Sequence, residues 1–153
     1  MQDLATAENA AIADPGVCRS RTAARDRIMA FEALMLTMPQ IEVEISHEFA
    51  DGVCARTMRL LAGTTLVGKL HKTRHLFFIL SGTALVSNEA GTRELVGPLM
   101  VASDPGEKRV IHAVTDVVWT NIHATNETDP ERIESEVIAP DYEALGIALL
   151  GRQ

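Results

Sequence analysis

The hydrophobic pattern changes period along the chain. In residues 20–38, Ala24, Ile28, Phe31, Met35 and Met38 recur at spacings of four and three, drawing one apolar stripe along a helix that ends before Pro39. From Ile41 the period drops to two: Ile41, Val43, Ile45, His47 and Phe49 alternate with Glu42, Glu44, Ser46 and Glu48, as in a half-buried strand. Asp51-Gly52 then reads as a hairpin turn into a second strand at 53–61. Short strand-like runs follow at 76–80, 83–86, 99–102, 109–114 and 117–123. They are punctuated by turn residues at Gly63, Gly68, Ser81-Gly82, residues 88–91, Gly97-Pro98, Asp104-Pro105-Gly106 and Thr115-Asp116. Many short strands at this spacing predict a mainly β fold, a single antiparallel barrel or jelly roll, which also limits exposed sheet edges.

The flanks read differently. Residues 1–19 are small and polar and broken by Pro15-Gly16, the composition of an arm with no core of its own. After the sheet, Thr128 as N-cap, Pro130 early in the first turn and Glu131 three residues after the cap predict a helix to about Val137. A second short helix after Pro140 would carry Tyr142, Leu145, Leu149 and Leu150. The expected division is an arm and amphipathic helix at 1–40, a β-barrel at 41–124 and a helical segment at 125–153. The Met-bearing stripe of the 20–38 helix suits either packing on the barrel or a partner: a second copy or other assembly proteins.

Composition narrows the classes of function. A chain of 153 residues with 46 % hydrophobic and 23 % charged residues should fold as one globular domain. Its formal net charge of −7 repels phosphate backbones and argues against nucleic acid as a partner. No run of eighteen apolar residues is present, and Met1-Gln2-Asp3-Leu4 has neither a basic nor an apolar leader, so neither membrane insertion nor Sec export is expected. Cys18 and Cys54 lack metal or redox spacing and read as reduced thiols.

The chemistry concentrates between Gly63 and Gly82: Gly63, five residues, Lys69, one residue, His71, three residues, His75, six residues, Gly82. That spacing resembles the first motif of the cupin superfamily, G-x5-H-x-H-x3/4-E-x6-G. The resemblance places Lys69 at the first His, His71 at the second and His75 at the Glu. The second motif, G-x5-P-x-G-x2-H-x3-N, is matched loosely over 97–113: aligned on Gly106, it puts Asp104 at the Pro, Arg109 at the His and Ala113 at the Asn, with one extra residue after Gly97. The runs His71-Lys72-Thr73-Arg74-His75-Leu76, Pro105-Gly106-Glu107-Lys108-Arg109 and Val118-Trp119-Thr120-Asn121-Ile122-His123, followed by Glu127-Thr128-Asp129, are similar to small cupin-like proteins of tailed phages and prophages. In that group a Glu stands where this chain has Arg74. The resemblance implies a cupin barrel and a place in the host cytoplasm or the virion.

Cupin metal centres use three or four imidazole or carboxylate ligands. A protonated Lys69 or Arg109 has no lone pair to give, and a cation roughly 5 Å from a divalent ion costs about 7 kcal/mol at an effective dielectric of about 20. The expected cofactor is therefore none. If one binds, it is a single divalent Fe, Mn, Ni or Zn ion on His71, His75 and His123, with His123 brought in by a hairpin at Thr115-Asp116 that lays it beside Lys108 and Arg109. His112 reads as exposed or structural, and His47 as a satisfied core histidine. Lys69, Arg74 and Arg109 form a candidate anion pocket. No Ser-His-Asp set, phosphate loop or acid/base carboxylate pair is evident, so catalytic residues stay unassigned. Three functions remain: a non-catalytic virion or assembly component of a tailed phage, a mononuclear-metal cupin enzyme acting on a small molecule, and a binding module for an acidic sugar or carboxylate.

Overall fold

The computed structural model describes residues 15–147, with side chains from residue 21 onward. The expected arm at residues 1–14, the side chain of Cys18, and Leu149 and Leu150 lie outside the described residues.

Helix α1 spans Pro15–Met35. It starts five residues before the stripe suggested, with the Pro of Pro15-Gly16 in the first helical turn, where a missing N–H costs nothing. It ends at Met35 instead of Met38. Residues beyond it form a turn in which the Gln40 amide donates to the Met35 and Met38 carbonyls at 3.0 and 2.8 Å, satisfying chain-end acceptors. Only the first part of the stripe is buried: Ala24 and Ile28 pack inward, while Phe31 and Met38 are exposed. The helix is also held by ion pairs. Arg25 meets Glu89 at 3.0 Å and Lys108 meets Glu32 at 2.9 Å, each largely shielded from water.

The strands are β1 (Glu44–Ala50), β2 (Val53–Leu60), β3 (Thr65–Val67), β4 (Leu70–His71), β5 (His75–Ser81), β6 (Thr83–Asn88), β7 (Gly91–Val96), β8 (Leu99–Ser103), β9 (Val110–Ala113), β10 (Val117–Ala124) and β11 (Ile138–Ala139). They form a five-stranded sheet in the order β1-β2-β10-β5-β8, a four-stranded sheet in the order β3-β9-β6-β7, and the pair β11-β4. All pairings are antiparallel. The architecture is a jelly roll, as the strand pattern predicts, with two sheets that leave edges instead of closing completely.

Between the sheets lie Met58, Leu60, Phe77, Ile79, Ala84, Val86, Ile111, Ala113, Val117 and Trp119. The Phe77 and Trp119 rings stack with centroids 4.4 Å apart. Gly82 carries the turn between the sheets at φ +92°, and a Cβ there would stand 2.0 Å from the Asp116 carbonyl oxygen, so no other residue fits.

Thr115-Asp116 does not make the expected hairpin. Strand β9 pairs with β3 and β6, and β10 pairs with β2 and β5, so the chain crosses there from one sheet to the other. The run at 91–96, which had been given no strand, is β7. Its Thr92, Arg93 and Glu94 are exposed on an edge, and Leu95 alone packs against the core, so the alternation is weak.

Helix α2 spans Pro130–Val137. Its N-cap is Asp129, not Thr128: the Asp129 carboxylate accepts from the Glu131 and Arg132 amides at 2.9 and 3.4 Å. Ile133 and Val137 pack with Cys54, and β11 continues from α2 to pair with β4. Among the described residues after Pro140 the chain makes a 3-10 turn at Glu143–Leu145, where an α-helix was expected. Tyr142 beside it is buried with Leu70 and Ala139. Among the described residues no helix is long and apolar enough to cross a membrane.

Candidate functional site

Register fixes which side chains face the space between the sheets. On the five-stranded sheet, Cys54 lies opposite His123, and Arg56 lies opposite His47 on one side and Asn121 on the other. Phe77 continues that second row beyond Asn121, and His75 is set opposite Ser103 on the next strand. Side chains two apart on a strand share a face, so His75 and His123 point the same way as Phe77 and Trp119. His71 arrives from β4, where pairing with Ile138 of β11 holds its backbone.

The three histidines proposed from sequence meet. Ring centroids are 4.0 Å apart for His71 and His75, 5.2 Å for His71 and His123, and 5.1 Å for His75 and His123. The expected route was wrong even so, since His123 comes in beside β2 and β5 and not beside Lys108 and Arg109. His75 Nδ1 faces the Thr73 carbonyl at 3.4 Å. His71 Nδ1 and His75 Nε2 are buried with no hydrogen-bond partner among the described residues.

Burial holds all three rings neutral at pH 7. It is the main reason the His71 pKa falls to about 3, with His75, His123, Arg109 and Arg56 adding to it. Burial likewise lowers His123 to about 4, reinforced by His75 and Arg56. His75 is lowered by burial, partly opposed by the Thr73 carbonyl.

Of the three cations of the expected anion pocket, Lys69 and Arg109 line one cavity and Arg74 does not. Lys69 forms a close ion pair with Glu134 and is about half exposed. Arg74 is exposed and lies 3.4 Å from Asp104. Arg109 is buried, 2.5 Å from Glu107, with Nη2 donating to Ser103 Oγ at 2.8 Å and its guanidinium over the Phe77 ring at 4.8 Å. The repulsion anticipated from Lys69 and Arg109 is therefore countered, because each has its own carboxylate. His112 is half-buried, with Nδ1 at 2.7 Å from Thr65 Oγ1. His47 is half-buried and stacks on Phe49, and its pKa is lowered by burial and then by Arg56.

A cavity of about 380 Å³ opens beside the histidines, walled by Met58, Ile111, Trp119 and Ile133 together with His71, His123, Arg56 and Asn121. The sequence reading passed over Arg56 and Asn121. A signal was present: Arg56 shares strand parity with Cys54, Met58 and Leu60, an otherwise apolar face in which a cation stands out.

Among the described residues, no group of three or more His, Cys, Asp or Glu side chains is arranged to hold a metal ion as it stands. The donor set nonetheless fits one in type, protonation and spacing. With metal–nitrogen bonds of about 2.0–2.1 Å, ring centroids lie roughly 3.2 Å from an ion and about 4.5–5.2 Å from each other at octahedral or tetrahedral angles. Two of the three observed separations fall at the top of that range and the third is slightly shorter, so ligation would require the rings to be re-aimed. An Nδ1–H donated by His75 to Thr73 would leave its Nε2 lone pair for an ion.

No protein-family model matches the chain, and no curated protein does. Solved structures share its fold. Ectoine synthase from P. lautus superposes with a TM-score of 0.51 at 16 % identity, over 65 % of this chain and 75 % of that one. Salicylate 1,2-dioxygenase from Pseudoaminobacter salicylatoxidans does so at 0.50 and 14 % identity, over 73 % of this chain and 32 % of that one. A cupin superfamily protein from Desulfitobacterium hafniense DCB-2 gives 0.48 at 14 % identity, over 58 % and 83 %. The chain thus shares its jelly-roll fold with the ectoine synthase and the salicylate dioxygenase, and at these identities fold alone is what is shared.

Proposed function

We propose that the chain is a small-molecule cupin whose pocket holds one divalent ion on His71, His75 and His123. The observation that carries this reading is the pair of buried nitrogens without a partner among the described residues, His71 Nδ1 and His75 Nε2, within a cluster of neutral rings. Buried polar atoms are normally satisfied, and an imidazole lone pair is a good ligand for Fe, Ni or Zn. A bound ion would supply Lewis acidity and lower the pKa of a coordinated water. The chain's own residues do the rest. Thr73 sets the His75 tautomer, Glu134 and Glu107 hold Lys69 and Arg109 in ion pairs, and Ile133 and Val137 pack over Cys54 beside His123 to exclude water.

Elemental analysis of protein purified without added metal tests the reading. The expected result is about one Fe, Mn, Ni or Zn per chain, lost when His71→Ala and His75→Ala are combined and kept in Lys69→Gln. Metal-free wild-type protein, or equal metal in the double variant, would refute it.

A second reading, an assembly component of a tailed-phage particle, draws on one observation. Leu34, Leu36, Met38 and Ile41 leave an uncovered apolar run at the end of α1, between 53 and 69 % exposed, suited to a second copy or a virion protein. A strictly monomeric protein, absent from purified particles, would count against it.

A further inference from the structure

The cations around the pocket are matched by carboxylates: Lys69 by Glu134, Lys108 by Glu32 and Arg109 by Glu107. Arg56 is the exception. It lines the cavity from β2 and makes no hydrogen bond or ion pair among the described residues. Burial lowers its pKa, with Glu134 opposing from a distance. Arg56 is half-buried, and a guanidinium in a pocket wall with no carboxylate of its own offers its charge and its planar fork to a ligand that brings the anion.

Asn121, directly opposite Arg56 on β10, is 8 % exposed. Its Oδ1 accepts from Trp119 Nε1 at 3.0 Å, which fixes the amide and leaves Nδ2 a donor with no partner among the described residues. A guanidinium fork beside an amide donor suits the two coplanar oxygens of a carboxylate. A doubly charged phosphate suits this wall less well, since Glu107 and Glu131 also line it and most of the remaining surface is apolar.

We infer that the pocket takes a small carboxylic acid, with its carboxylate on Arg56 and Asn121 and its apolar body against Met58, Ile111 and Trp119. This rests on the proposed function only in using the same pocket, because the acid can bind with or without an ion on the histidines. Cys54 and His123 stand one row along the sheet from Arg56 and Asn121, so the carboxylate end of the acid lies next to the histidine cluster.

Calorimetric titration of the full-length protein with hexanoate, benzoate and the neutral twin benzamide tests the inference, with and without prior chelator treatment. The expected result is saturable binding of at least one acid with Kd at or below about 1 mM, and benzamide weaker by roughly tenfold or more. Arg56→Gln should weaken the acid by roughly tenfold or more and leave benzamide unchanged. Arg56→Lys, which keeps the charge and loses the fork, should fall between. The inference is overturned if neither acid saturates by about 10 mM, if benzamide binds equally well, or if both Arg56 variants bind acid as wild type does. Acid binding by metal-free protein sustains this inference while the ion reading fails, and a metal-loaded protein that ignores both acids sinks only this one.

Discussion

Lowering the pH should destabilise the metal-free protein through its histidine cluster. The pKa of His71 falls from an ordinary value of about 6.5 to about 3 on folding. Between these values the unfolded chain carries a proton that the folded chain refuses. Stability from this group is therefore fully present above about pH 6.5 and is lost as pH falls toward 3. At pH 5 the difference amounts to about 2 kcal/mol for His71, or roughly 1–2 kcal/mol after allowing for solvent screening and relaxation. His123 and His75 act in the same direction, each depressed mainly by burial, and part of each effect comes from the others, so the three do not simply add. For a domain of this size, 1–2 kcal/mol moves Tm by roughly 2–8 °C. The assay is thermal unfolding in chelator at pH 7 and pH 5 for wild type and His71→Gln. Carboxylate titration is common to both proteins and cancels in the comparison. The wild type should lose more Tm than the variant by about that amount, and identical slopes, or a wild-type Tm that rises toward pH 5, would refute the reasoning.

Two further outcomes follow from the fold. Asp129→Ala removes the α2 N-cap and should cost about 1 kcal/mol in denaturant unfolding, whereas Thr128→Ala should cost only a few tenths; the reverse ranking would contradict the assigned cap. Gly82→Ala meets both a left-handed backbone and the Asp116 carbonyl, and should cost about 3 kcal/mol or more or prevent soluble expression; a variant melting within a degree or two of wild type would mean the turn is wrongly placed.

Much of the fold was legible because strand faces follow parity. The runs at 76–80, 83–86 and 117–123 lie within β5, β6 and β10, because their alternate residues fill the core between the sheets. Strand β7 escaped because on this edge strand Leu95 alone packs against the core while Thr92, Arg93 and Glu94 are exposed, too little alternation to read. The His71, His75 and His123 cluster was found through motif spacing plus a hairpin that the chain does not make, so the residues were right and the geometry behind His123 was not. Spacing alone also could not say where Lys69 and Arg109 point. That depends on Glu134, far along the chain on α2, for Lys69, and on Glu107 and Ser103 for Arg109. Arg56 was passed over because an isolated Arg within a strand reads as solvent-facing unless its parity with Cys54 and Met58 is counted.

The account turns on whether three buried imidazoles act together as ligands, and cobalt(II) titration of chelator-treated protein followed by visible absorption addresses that most directly. The bands of nitrogen-ligated cobalt should grow to saturation at about one equivalent and be lost in His71→Ala, His75→Ala and His123→Ala alike, with Lys69→Gln unaffected. A featureless spectrum, or bands that survive the loss of His123, would contradict it.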